Sequence, residues 1–360
     1  MKGGRKTVAN PGGDDAAEAA RPPTMIDVAA RAGVSQTTVS LVLNNSQGAR
    51  LSASTRSRVR EAARDLGYTL TRRGPAQPDR VGSSVIGFLS DEISTDPWCA
   101  MQLDAVREKA WEHGLTVTAC VSHSDRELEE ALLGQLLRQP LAGLVYATIL
   151  TRHIRPLPQL YRIPTVLLNC FVQNHSLASV VPGELLGGYV ATLHLLRAGH
   201  RRIGHIAGQS WTDPSRDRLK GYRRALAERD ILFDPALVLP GNWEPPTGYQ
   251  HTVTLMDLPD PPTAIFVAND MMAVGVYDAL KERGLRIPQD VSVVGYDDRE
   301  IAQFMRPPLT TVVLPHSEMG VQAAEVLIDG QIRAEGRQPQ VKVECTLVDR
   351  ESVAPPRPRN

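Results

Sequence analysis

From residue 84 onward, short apolar runs alternate with amphipathic segments, and the alternation occurs twice. The runs at 85–89, 115–120, 143–147 and 165–168 read as buried parallel strands, because a strand covered on both faces is continuously apolar rather than alternating. Between them, 99–113 and 126–138 have helical periodicity, the latter through Leu128, Leu132, Leu133, Leu136 and Leu137. The pattern restarts with strands at 202–207, 238–239, 264–267 and 291–295, separated by helices near 185–198, 215–230 and 271–283. The expected architecture is α/β, two doubly wound lobes with a ligand in the crevice at the strand carboxyl ends.

Side chains at those ends suit such a ligand. Asn269 and Asp270 follow the strand ending at Ala268, Asp297 follows the strand ending at Gly295, and Arg218 is expected to open a helix beside them. Arginine forks and carboxylates fit a polyhydroxylated molecule, whose hydroxyls both donate and accept, and Trp243 can stack on an apolar sugar face.

Ahead of the lobes, residues 24–68 carry a different pattern. Thr24 and Asp27 can cap a first helix with an apolar stripe of Val28, Ala29 and Ala32, and Gly33 supplies the residue able to take positive φ at the turn. Ser35 caps a second helix in which Val39, Val42 and Leu43 face inward, leaving Gln36 and Thr37 outward at its start. Ser52 caps a third helix, with Val59, Ala62, Ala63 and Leu66 inside and Arg56, Arg58, Arg60 and Arg64 outside, ended by Gly67. This spacing is that of an all-α helix-turn-helix, whose second helix places short polar side chains against base edges in the major groove.

Charge agrees with that reading. The chain has 40 basic and 40 acidic residues, yet residues 21–73 hold nine arginines and three acids. Positive charge is thus concentrated where phosphate contacts are needed. In 360 residues there is no apolar run long enough to span a bilayer, and residues 1–23 lack the apolar centre of a secretory signal, so they read as a disordered arm. Cys99, Cys120, Cys170 and Cys345 are scattered and fit reduced core thiols in a cytoplasmic protein, with no metal or cofactor expected. Phosphate-cradling glycine motifs and activated-nucleophile motifs are lacking, which argues against an enzyme.

The string I-D-V-A-A-R-A-G-V-S-Q-T-T-V-S-L-V-L-N from Ile26, followed by L-S-A-S-T-R-S-R-V and L-G-Y, closely resembles the LacI/GalR family of bacterial repressors. The strings H-L-L-R-A-G-H-R-R-I-G-H-I-A-G from His194, R-L-K-G-Y from Arg218, V-A-N-D-M-M-A-V-G from Val267, V-S-V-V-G-Y-D-D from Val291 and R-P-P-L-T-T-V from Arg306 resemble its two-lobed effector domain, which is similar to periplasmic sugar-binding proteins. The resemblance implies a homodimeric regulator with no membrane contact, binding a double-stranded DNA operator and a small effector. A sugar is expected, a nucleobase or other metabolite acting as corepressor is the alternative, and a transporter-linked solute-binding protein is a more distant one.

By the same resemblance, Ser35, Gln36, Thr37 and Leu41 face the groove, with Thr38, Ser40, Asn44, Arg50, Ser52 and Thr55 near the backbone. Leu41 stands where most members have arginine, so the half-site should differ from the usual one. Arg218, Asn269 and Asp297 are the implied effector contacts, and Trp98, Asn169 and Trp243 are further candidates. Asn169 matches a position that is often Asp in sugar-responsive members, and the usual acid near 183 is replaced by Pro182 and Gly183. The implied division is a head at 24–70, a hinge at 71–83, a first lobe at about 84–181 and 315–340, a second at about 182–312 and 341–354, and a tail at 355–360. Gly74, Pro75 and Pro78 would break a hinge helix, leaving Arg72 and Arg73 to hold phosphate or a narrow minor groove without sharp bending.

Overall fold

The computed structural model of the chain describes residues 25–43, 52–66, 85–94, 98–333 and 336–357. The expected arm, Thr24, Gly67 and the hinge lie outside the described residues. The chain divides into two units, one ending at Arg73 and one beginning at Gly74.

The first unit is a set of three helices, α1 (Met25–Ala32), α2 (Gln36–Leu43) and α3 (Ala53–Asp65). Gly33 takes φ 63° in the α1–α2 turn, where its N–H and that of Val34 bond the carbonyls of Ala30 and Ala29. Val28, Ala29, Ala32, Val39, Val42, Val59, Ala62 and Ala63 are buried together, so the small residues that repeat at helical spacing are what let the helices pack closely. Ser35 Oγ accepts the Thr38 N–H at 3.1 Å and Ser52 Oγ accepts the Thr55 N–H at 3.1 Å, which satisfies orphan donors at two helix starts.

The second unit holds two six-stranded sheets. In the first lobe, β1 (Val85–Ser90), α4 (Trp98–Glu112), β2 (Thr116–Val121), α5 (Arg126–Leu136), β3 (Leu141–His153), β4 (Thr165–Phe171) and β5 (Ala178–Pro182) follow in order. The chain then enters the second lobe through α6 (Glu184–Arg197), β6 (Ile203–Ala207), α7 (Asp213–Ala227), β7 (Val238–Pro240), α8 (Pro245–Met256), β8 (Ala264–Val267), α9 (Asp270–Glu282), β9 (Ser292–Asp297), α10 (Glu300–Phe304) and β10 (Thr310–Val313). It returns through α11 (His316–Ile328) and β11 (Gln340–Val343), and passes over again to β12 (Leu347–Val348).

The sheet orders are β11-β5-β4-β3-β1-β2 and β12-β10-β9-β8-β6-β7. Every pairing is parallel except β10 with β12. Strands buried on both faces, such as β8 and β9, carry the continuous apolar runs that parallel pairing under two helical layers demands.

One boundary moves. Gln340 to Val343 pair with Ser179 to Pro182, so residues 341–343 belong to the first sheet and the third crossing falls between Val343 and Leu347 rather than near 340. Cys99, Cys170 and Cys345 are buried free thiols within the lobe cores. None of the described helices is long and apolar enough to cross a membrane.

Candidate functional site

In the first unit, Ser35 and Gln36 are exposed at the start of α2, and Ser35 Oγ also bonds the Thr38 hydroxyl at 2.9 Å. The helix therefore opens toward solvent with its positive end and short polar side chains, an arrangement that favours an anion beside it. At the start of α3, Ser52 Oγ lies 2.8 Å from the hydroxyls of both Ser54 and Thr55, and Arg58, Arg60 and Arg64 are exposed along that helix. The side chains of Thr37, Ser40 and Leu41, and residues Asn44, Arg50, Arg72 and Arg73, lie outside the described residues.

In the second unit the polar centre is Arg218, which sits within α7 rather than at its opening and is only 3% exposed. Its Nε and Nη2 donate to the two oxygens of Glu184 at 2.7 and 2.9 Å, its Nη1 donates to the Ala268 carbonyl, and Nη1 is 3.7 Å from Asp297 Oδ1. The guanidinium also lies over the Tyr296 ring at 3.6 Å and 5.6 Å from the Trp243 ring. Its Nε and one N–H each of Nη1 and Nη2 are thus committed, and Nη1 is the nitrogen nearest Asp297.

Close backbone approach makes this possible. A Cβ on Gly188 would strike the backbone of Arg218, and one on Gly221 would strike the backbone of Leu185, so α6 and α7 bring Glu184 and Arg218 together only because both positions are glycine. Glu184, which sequence reasoning did not single out, is the acid paired with Arg218 and stands at the first position of α6. The signal was present as an acid at a helix start directly after Pro182 and Gly183.

Asp297 ends β9 with φ 105°, and its Oδ2 is buried with no hydrogen-bond partner among the described residues. Burial pushes its carboxyl well above the usual range, with Arg218 opposing. Asp270, fully buried, accepts from the Thr311 hydroxyl at 2.7 Å and the Arg299 N–H at 2.8 Å, tying α9 to the loop after β9. Burial raises it from 3.8 to about 7 despite those two bonds.

Because the folded state holds this proton more tightly, Asp270 stabilises most below about pH 4, and the contribution is lost as pH rises through about 7. The melting temperature of the unaltered chain relative to Asp270→Asn should therefore fall between pH 5 and 8. A relative rise in thermal unfolding profiles would contradict the assignment.

The other expected contacts divide. Asn269 caps α9 by accepting the Met272 N–H, and its amide donates to the Trp243 carbonyl at 3.0 Å, so it positions the tryptophan. Trp243, at φ 74°, keeps a buried indole N–H without a partner among the described residues. The Asn169 amide donates to the carbonyls of Thr148 and Ile149 and accepts from Thr151, so it ties β3 to β4. The Trp98 ring stacks on His316 at 4.9 Å, and the Arg299 guanidinium lies over it at 4.4 Å. The contact bridges the lobes, since Trp98 belongs to α4 of the first and Arg299 caps α10 of the second.

Comparison with known proteins matches both units. Residues 24–70 fit the model of bacterial regulatory proteins of the lacI family, and residues 192–353 fit the periplasmic binding protein-like domain. The chain is 33% identical over 341 residues to the HTH-type transcriptional repressor PurR of Edwardsiella ictaluri, covering 92% of this chain and 97% of that protein. It is 34% identical over 342 residues to the PurR of Pectobacterium carotovorum, at 92% and 97% coverage. Among solved structures, the transcriptional regulator CelR–cellobiose complex is 31% identical with a TM-score of 0.63, covering 92% of this chain and 99% of that one. The lac repressor dimer bound to operator and the anti-inducer ONPF is 29% identical with a TM-score of 0.62, at 93% and 100% coverage. The helix-turn-helix unit and the two-lobed unit with its buried polar crevice thus make this chain a member of the LacI family of bacterial transcriptional regulators.

Proposed function

We propose that this regulator is a homodimeric repressor whose operator affinity is set by a carbohydrate bound between the lobes. The observation that carries the effector reading is the Arg218–Glu184–Asp297 group, a buried array offering both donors and acceptors at the strand carboxyl ends, with Trp243 beside it. Hydroxyl-rich ligands use donors and acceptors in pairs, which such an array supplies. The likeness to a cellobiose-bound regulator supports the same class.

Two surfaces support the dimer. In the first lobe β2 is an edge strand, and the neighbouring α4 exposes Met101 at 45% and Trp111 at 56%. In the second, a groove of about 680 Å³ runs along α9 and α10 past Tyr277, Ile301 and Phe304. None of the described residues lining it is a buried polar side chain without a partner, and Ile301 and Phe304 are exposed large hydrophobics, so it reads as a protein contact rather than the effector site. On the operator, Ser35 and Gln36 enter the major groove while the arginines of α3 hold phosphate.

Thermal shift of the full chain against sugars and nucleobases tests the effector class. A sugar should raise the melting temperature and change operator retention; stabilisation by a nucleobase alone would replace the carbohydrate reading.

A further inference from the structure

We infer that Trp98 and Arg299 form a clasp between the lobes, built wholly from the chain's own side chains, that biases them toward the closed arrangement before any effector binds. The inference goes beyond the effector reading and does not depend on what the effector is.

Each half of the clasp is anchored in its own lobe. Trp98 opens α4, and its ring stacks on His316 at 4.9 Å with the planes 19° apart. His316 is 2% exposed, and its Nδ1 accepts from the Gln102 amide, one turn further along α4, at 2.9 Å. Burial, joined by Arg218 and Arg299, holds the imidazole down to about 3, so the ring that braces Trp98 is neutral and does not repel a nearby cation. In the second lobe, Arg299 caps α10, its N–H donates to the buried Asp270 at 2.8 Å, and its Nε lies 3.8 Å from Asp297 Oδ2. The guanidinium thus reaches the indole, 4.4 Å from the ring centre, from a fixed backbone.

Two interactions therefore cross from lobe to lobe at one residue. The guanidinium is attracted to the indole ring, and Trp98 also packs against the apolar cluster of the second lobe that holds Leu314 and Cys345. Arg218, by contrast, has both its ring partners, Trp243 and Tyr296, in its own lobe. A cation–π contact fades beyond about 6 Å, so an opening of about 2 Å at this point breaks it. The backbone bonds from the Gly183 N–H to Val343 and from the Val313 N–H to Thr346 lie on the crossings about which the lobes turn, and they survive such a rotation. Opening must therefore break the clasp, and the strength of the clasp weights the closed state.

Spin labels on the full chain read the lobe separation, with labelled subunits diluted into unlabelled ones so that distances within one subunit dominate. Ser124→Cys and Ser210→Cys are exposed sites just after β2 and β6, toward the edge of each sheet away from the crossings, where a rotation is magnified. With no ligand added, the unaltered chain should show one short separation. Arg299→Met and Trp98→Leu should each raise the ratio of long to short separations by about two- to thirtyfold, the span of a cation–π contact between exposed and desolvated settings. Adding Arg299→Met to Trp98→Leu should change nothing more, because the two side chains act as one unit. Arg299→Lys, which keeps a cation, and Trp98→Phe, which keeps a ring, should fall between; this graded rescue separates a clasp from damage to folding, and the conservative pair decides if the other variants do not fold. An unchanged separation in the variants, additive effects in the double variant, or a long separation in the unaltered chain overturns the inference. Operator retention without ligand should shift in the same direction for both single variants. If it stays unchanged while the separation changes, the proposed coupling of lobes to heads fails and the clasp stands.

Discussion

Arg218→Ala should lower the stability of the two-lobed unit by about 3–5 kcal/mol and abolish the effector response. The first effect follows from Glu184, which is 4% exposed and would be left buried with both oxygens stripped of their guanidinium partner. Removing one member of a buried pair costs more than the pair itself is worth. The second follows from geometry, because the same guanidinium anchors the Ala268 carbonyl and flanks Asp297, so its loss loosens the second-lobe wall of the crevice. Loss of a buried charged partner costs about 2–5 kcal/mol of binding, roughly thirtyfold or more. Denaturant unfolding and calorimetric titration read the two effects separately. Glu184→Gln, which removes the stranded acid, should recover part of the stability in the double variant but none of the binding.

Val39→Asp should unfold the head and leave the effector domain intact. Val39 is fully buried at the centre of a core made of small residues contributed by all three helices. At roughly 0.05–0.15 kcal/mol per residue, a unit of this size holds only about 2–7 kcal/mol, and an unpaired carboxylate in an apolar core costs more than that. DNA affinity should therefore fall by more than about a hundredfold, the change that about 3 kcal/mol produces. Two melting transitions in calorimetry, the first abolished and the second unchanged, would check that the damage is confined to the head.

The head was legible because its determinants are local. Gly33 sits at the positive-φ turn, Ser35 and Ser52 cap the helices they precede, and the apolar spacing of Val39, Val42, Val59 and Ala62 is the core itself. Strands such as β8 and β9 were legible for a related reason: parallel strands under two layers leave no polar interruption. What was not legible depended on distant partners. β11 reads Gln-Val-Lys-Val, too short and polar to announce a strand, and exists because β5 offers an edge. Glu184 was not singled out, because its partner Arg218 lies 34 residues further along the chain. Trp98 and Asn169 were chosen for their chemistry, and their partners, His316 and Arg299 for one and the β3 carbonyls for the other, are distant in sequence and carried no local signal. His316 carried no sequence signal, since its burial depends on the return of the chain after β10 and on Gln102, more than two hundred residues away.

The account turns on the head as the element that reads DNA. Gel retardation of promoter fragments by the full chain, set beside a chain beginning at Gly74, measures this directly. The full chain should bind with a steep salt dependence from its arginine contacts, and the shortened one should not bind at all. Equal retardation by both would contradict the assignment.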